Sequence, residues 1–113
     1  MNPIPVIIDC NPGVDDAIAL LLARQLSELN ILAITSVAGK VSLERATYNA
    51  LGLMGFLDWD VPVYRGAAGP IFRNRVEPVN VHGSESMSGF DLPHIRPVVE
   101  NVNAWDAIYQ QAV

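Results

Sequence analysis

Three carboxylates fall within eight residues of one another near the start of the chain: Asp9, Asp15 and Asp16, in the stretch V6-I-I-D-C-N-P-G-V-D-D-A-I-A-L20. Like charges this close repel unless a cation or hydrogen-bond donors sit among them. Hard oxygen ligands clustered on one loop suit Ca²⁺ or Mg²⁺ rather than a soft metal. Asn11, in the middle of the cluster, adds an amide oxygen but no titratable group. The competing reading of Asp15 and Asp16 is helix capping, since acids interact well with the positive end of a helix dipole. Capping uses one or two acids, and here three acids and an Asn surround a single Pro-Gly turn.

The elements that must hold this cluster follow from local patterning. Val6 to Cys10 is a β-branched apolar run between Pro5 and Pro12, and it reads as a buried strand. Asn11-Pro12-Gly13 is turn chemistry. Asp15 to Leu29 is rich in Ala and Leu and predicts a helix. Ile31 to Val37 reads as a second buried strand ending at Ala38-Gly39, and Leu43 to Leu57 as a second helix with Ser42 as its N-cap. Val61 to Tyr64 is a third short strand, and a last helix is expected to begin near Asn101 or Asn103. Arg65 to Pro97 is rich in Gly, Pro, Ser and Asn and predicts a long loop.

Strands alternating with helices imply an α/β fold: an open parallel sheet of Rossmann-like βαβαβ order, followed by the loop and a helix. The 113 residues suit one domain, 1–113. In such sheets ligands bind at the carboxyl ends of the strands, where Asp9, Asn11, Asp15 and Asp16 fall.

Composition removes several classes of function. Acids outnumber bases 12 to 7, and the bases, Lys40 and six scattered arginines, form no stripe, so nucleic acid is not an expected partner. No apolar run is long enough for a membrane span and no signal peptide is visible at the N-terminus. Cys10 is the single cysteine, which suits a reducing compartment; the expected setting is cytoplasmic. Lys40 follows Gly39 without the spacing of a P-loop, the first turn lacks G-x-G-x-x-G, and H82-G-S-E-S86 is not G-x-S-x-G. Cys10, Trp59, Trp105, Met54, Phe56 and Leu57 read as packing residues, and His94 as a surface loop residue.

D9-C-N-P-G-V-D-D16 followed by A-I-A-L resembles the N-terminal signature of the inosine–uridine-type nucleoside hydrolases, D-x-D-P-G-x-D-D-A. The likeness continues through I34-T-S-V-A-G39, V61-P-V-Y-R-G-A67, V81-H-G83 and F90-D-L-P93. It spans the chain in order, but corresponds to the N-terminal third of that family. The resemblance implies Ca²⁺-dependent hydrolysis of the N-glycosidic bond of ribonucleosides to ribose and free base. It would make Asp16 a Ca²⁺ ligand, position 11 both ligand and general base, Asp15 an acceptor of a ribose hydroxyl and Asp9 a support of the turn. Lys40 stands at a substrate-contacting position, and His82 falls in a loop over the nucleoside.

The chain departs from that pattern where the chemistry is concentrated. Asn11 replaces the base and cannot take a proton at neutral pH. Lys40 replaces an Asn and brings a charge able to neutralise the acids, and S84-E-S-M-S88 replaces E-S-G-x-G. These departures predict weak or absent Ca²⁺ binding, impaired hydrolysis and a truncated or degenerate relative. The family topology implied by the resemblance would also leave one edge of the Val6–Cys10 strand unpaired, predicting self-association through that edge or the helix at Trp105. Two other functions compete: a non-catalytic relative that binds a partner, and a haloacid-dehalogenase-like phosphatase with Asp9 as nucleophile, which leaves Asp15 and Asp16 without a role.

Overall fold

The computed structural model describes residues 2–76 and 97–113. Six elements follow in chain order: β1 (Ile4–Cys10), α1 (Val14–Gln25), β2 (Leu29–Ser36), α2 (Leu43–Leu57), β3 (Val63–Arg65) and α3 (Ala104–Ala112). The three strands form one parallel sheet in the order β1-β2-β3, so the expected open α/β arrangement is present. No helix among the described residues is long and apolar enough to cross a membrane.

Pairing with β1 decides where α1 stops. Helical propensity runs on to Leu29, yet α1 ends at Gln25, and the Leu26 N–H bonds back to the Ala23 carbonyl. Leu29 instead opens β2 opposite Ile4, and the Ile4 N–H donates to the Glu28 carbonyl at 2.7 Å. β1 accordingly starts at Ile4 rather than Val6. β3 is displaced along the chain from the expected Val61–Tyr64. Val63 pairs with Ile34, while Pro62 gives only its carbonyl, to the Ile34 N–H. α2 has the expected limits, with the Ser42 hydroxyl accepting the Arg45 N–H, and the Asn103 side chain caps α3 through the Asp106 N–H.

The core lies where α1 and α2 meet the sheet, with Leu20, Ile34, Leu53, Met54 and Val63 sealed from solvent. β2 is the central strand, and its Ala33, Ile34, Thr35 and Ser36 are all buried. β1 departs from the fully buried strand expected of its sequence: Val6, Ile7 and Ile8 are only half-buried and Ile4 is 60% exposed. The cause is its place at the sheet edge, with β2 on one side and no described strand on the other. Two residues expected to pack are exposed instead: Phe56 on α2 and Trp105 on α3. Met54 is buried and Trp59 packs against the core.

Candidate functional site

β1 delivers the chain to its carboxyl end at Cys10, and Asn11-Pro12-Gly13 turns it into α1. Gly13, the N-cap residue, has no side chain with which to cap. The helix start is held from elsewhere: the Asn49 side chain, on α2, donates to the Pro12 carbonyl at 2.9 Å in a buried contact. The Gly13 carbonyl takes the Ala17 N–H at 2.9 Å, the first hydrogen bond of the helix.

Each member of the acidic cluster has a partner. The Asp9 carboxylate accepts the Thr35 hydroxyl of β2 at 2.7 Å. Asp16, half-buried, accepts the Asn11 backbone N–H at 3.0 Å. Asp15 is exposed and takes the Lys40 ammonium at 3.1 Å, a pair in which both side chains are more than half exposed. That ammonium, through its hydrogen bond, holds the Asp15 carboxyl below the usual carboxylate range.

Asn11 points across to the loop after β2. Its Nδ2 donates to the Val37 carbonyl at 2.6 Å and to the Val41 carbonyl at 3.2 Å, and its Oδ1 accepts the Val41 N–H at 3.2 Å. Gly39 lies against this amide; a Cβ there would stand 3.1 Å from both Cγ and Oδ1 of Asn11. The same Gly39 lines an open cleft of about 340 Å³ together with Arg73 and Arg75, and Arg75 donates to the Gly39 carbonyl at 2.8 Å.

Cys10 lies directly before the turn, buried and unbonded to any other sulfur. Burial pushes its thiol up to about 12, with the Asp16 and Asp9 charges adding to the shift. A thiol so held stays protonated and is no nucleophile at neutral pH.

The structure thus gathers Asp9, Asn11, Asp15, Asp16 and Lys40 at one end of the sheet, while His82 and His94 lie outside the described residues. Sequence reading missed Asn49, Thr35 and Arg75 as members of the site. Asn49 alone left a trace, as a polar residue amid the helical run A46-T-Y-N-A50. Among the described residues, no three His, Cys, Asp or Glu side chains converge as a metal site.

A parallel three-stranded sheet with an Asp-rich turn at the carboxyl end of its first strand defines an open α/β protein, and solved nucleoside hydrolases share this arrangement. A plant nucleoside hydrolase, the PpNRh1 enzyme, superposes with a TM-score of 0.82 at 33% identity, over 97% of this chain and 36% of that one. An inosine-guanosine nucleoside hydrolase gives 0.72 at 35% identity, over 79% and 27%. The profile of the inosine-uridine preferring nucleoside hydrolases matches residues 6–113, and the chain belongs to that family. Among its relatives is the non-specific ribonucleoside hydrolase RihC of Escherichia coli O1:K1, 42% identical over 89 residues. That of Salmonella agona (strain SL483) is 46% identical over 87 residues. The two alignments cover 79% and 77% of this chain but only 29% and 28% of the relatives, so the chain spans less than a third of their length. Family membership leaves the phosphatase reading without support.

Proposed function

We propose that this chain furnishes the ribose-binding part of a nucleoside N-ribohydrolase site and that its own hydrolytic power is impaired. The observation that carries the reading is the acidic turn at the carboxyl ends of parallel strands, joined through Gly39, which packs on Asn11, to the rim of an open cleft. Asp15, whose carboxyl Lys40 holds below the usual carboxylate range, is the exposed acceptor for a ribose hydroxyl. Asp9 and Asp16 are tied to Thr35 and to the Asn11 backbone, which fixes the turn that presents Asp15. Burying the ligand against groups already oriented costs less entropy than ordering them on binding.

Hydrolysis of an N-glycosidic bond needs a water that loses its proton as it attacks C1′. Position 11 is an amide here, and its nitrogen donates to two carbonyls. Such a group accepts no proton at neutral pH. Loss of a general base typically removes about 10²–10⁴-fold of rate. The calcium ion implied by the family resemblance takes about six to eight oxygens. Here the Asn11 oxygen holds the Val41 N–H, one Asp16 oxygen holds the Asn11 N–H and Asp15 holds Lys40. The described residues do not by themselves fit that ion, and the chemistry left to them is that of their own groups. The proposed setting is cytoplasmic, in keeping with a free buried thiol.

Two measurements test this reading. Titration of the chain with inosine or uridine, followed by amide shifts, is expected to perturb Asp15, Asp16 and Gly39 at millimolar nucleoside. Ribose release from either nucleoside is expected to stay at background. Turnover that survives repurification and vanishes with chelator overturns the impaired-catalyst reading, and absence of any shift at those residues overturns the ribose-binding one.

A further inference from the structure

The short loop between Val37 and Val41 is tied to the acidic turn twice, by Asn11 reaching in and by its own Lys40 reaching out. Asn11 grips its two ends, the Val37 carbonyl and both backbone groups of Val41. Lys40, near its tip, reaches back to Asp15 on α1. Gly39 packs closely on the Asn11 amide, where a Cβ would stand 3.1 Å from Cγ and Oδ1, and Arg75 donates to its carbonyl. The loop is therefore tied to the acidic turn by the Asn11 amide and by the Lys40–Asp15 pair.

We propose that Asn11 and Lys40 form a clasp that closes this turn without a divalent cation, with residue 11 deciding whether the turn needs one. Asn11 is a positioning residue: it acts through the loop that carries Gly39 to the cleft. The donor half of its amide does the tying. A carboxylate of the same shape accepts the Val41 N–H equally well but donates nothing. It would face the Val37 and Val41 carbonyl oxygens at the present 2.6 and 3.2 Å and add a fourth negative charge to Asp9, Asp15 and Asp16. Such a turn loses both donor ties, and a cation among its oxygens would replace them. Lys40 supplies the internal positive charge in this chain, at Asp15 rather than at the centre of the cluster. The inference stands on these hydrogen bonds and does not depend on the nucleoside reading.

The test is thermal unfolding of the whole chain and of Asn11→Asp, each in EDTA and in millimolar CaCl₂ at low salt. The unaltered chain is expected to melt at the same temperature in both. Asn11→Asp is expected to melt lower in EDTA, by about 4 °C or more on the usual conversion for a domain of this size, and to gain stability on adding calcium. A calcium-dependent rise in the unaltered chain overturns the clasp, as does an Asn11→Asp variant that melts like its parent in EDTA. Should that variant fail to fold, amide exchange at Val41 in the unaltered chain decides. Slow exchange in EDTA that calcium leaves unchanged supports the clasp, and fast exchange that calcium slows refutes it.

Discussion

The Asn49 side chain, buried in α2, donates to the carbonyl of Pro12 at 2.9 Å, joining the second helix to the turn that begins the first. Pro12 is itself buried, so its carbonyl has no recourse to water. Asn49→Ala leaves that oxygen unpaired, at a cost of about 1–3 kcal/mol. A loss of that size lowers the melting temperature by about 4–8 °C per kcal/mol. Asn49→Asp is expected to be worse, because it sets a buried acceptor against an acceptor. Thermal denaturation of the two variants checks the order, and an Asn49→Asp variant more stable than Asn49→Ala would sink this account.

Gly66 is fixed by a close approach rather than by its dihedral angles. A Cβ at this position overlaps the backbone carbonyl oxygen of Ser36, and it also touches the Ala104 side chain at the start of α3. The obstacle is backbone, in the central strand, so relief requires β3 or β2 to move. Gly66→Ala is expected to cost about 1–3 kcal/mol, the range for overpacking a filled site. Gly69→Ala, whose nearest neighbour would be the Arg75 Cβ at 3.5 Å, is the matched control and is expected to be near neutral. Chemical denaturation of both variants gives the comparison; equal midpoints would show that the Ser36 contact yields readily.

How far the sequence carried this structure depended on sequence distance. α2 was legible to the residue because its cap, Ser42, and its bonded N–H, Arg45, are neighbours on the same turn. The C-terminus of α1 was not, since Leu29 is claimed by pairing with Ile4, a tertiary contact that overrides helical propensity. The half-buried β1 differs from its apolar run for a related reason: such a run signals burial, whereas a strand with one unpaired edge, as expected for Val6–Cys10, keeps part of its surface open. At the site, residue types and spacing identified Asp9, Asn11, Asp15 and Asp16 as one cluster. They could not say that the Asn11 amide faces Val37 and Val41, nor that Asn49 reaches Pro12, because no local pattern encodes contacts 26 to 37 residues apart.

Cys10 offers a pH-dependent test of burial beneath the turn. Its thiol has an ordinary value of 9.0 and is raised to about 12 in the folded chain, first by burial and then by Asp16 and Asp9. The folded state therefore keeps its proton where the unfolded state has lost it. Stability from this source is intact below pH 9 and falls as pH rises toward 12. Cys10→Ala removes that ionisation, so the variant's stability is expected to decline less steeply between pH 9 and 10.5 than the parent's. At pH 8 the native thiol is expected to react with Ellman's reagent only as fast as the chain opens. Rapid stoichiometric labelling under native conditions would contradict a buried, protonated Cys10.

The apolar surface left uncovered bears on assembly. β1 pairs with β2 along one side, and the described residues place no strand on the other. Ile4 on that strand is 60% exposed, and Ile18 and Leu22, one helical turn apart on α1, are 57% and 60% exposed. On α3, Trp105 and Tyr109 are likewise exposed at 58% and 68% and lie four residues apart, on a common face. An unpaired strand edge flanked by apolar side chains recruits another chain. Full burial of one such aliphatic side chain is worth about 1.5–3 kcal/mol, so covering several rivals the total stability of a small domain. This chain, taken by itself at micromolar concentration, is expected to self-associate through the β1 edge or the α3 face. Sedimentation of the parent beside Ile18→Asp, Leu22→Lys and Trp105→Glu variants separates the surfaces: the substitutions that restore a monomer mark the contact. A parent that sediments as a sharp monomer and melts cooperatively above about 55 °C, within the ordinary mesophile range, would show that these side chains need no cover and that the β1 edge is stable as it stands.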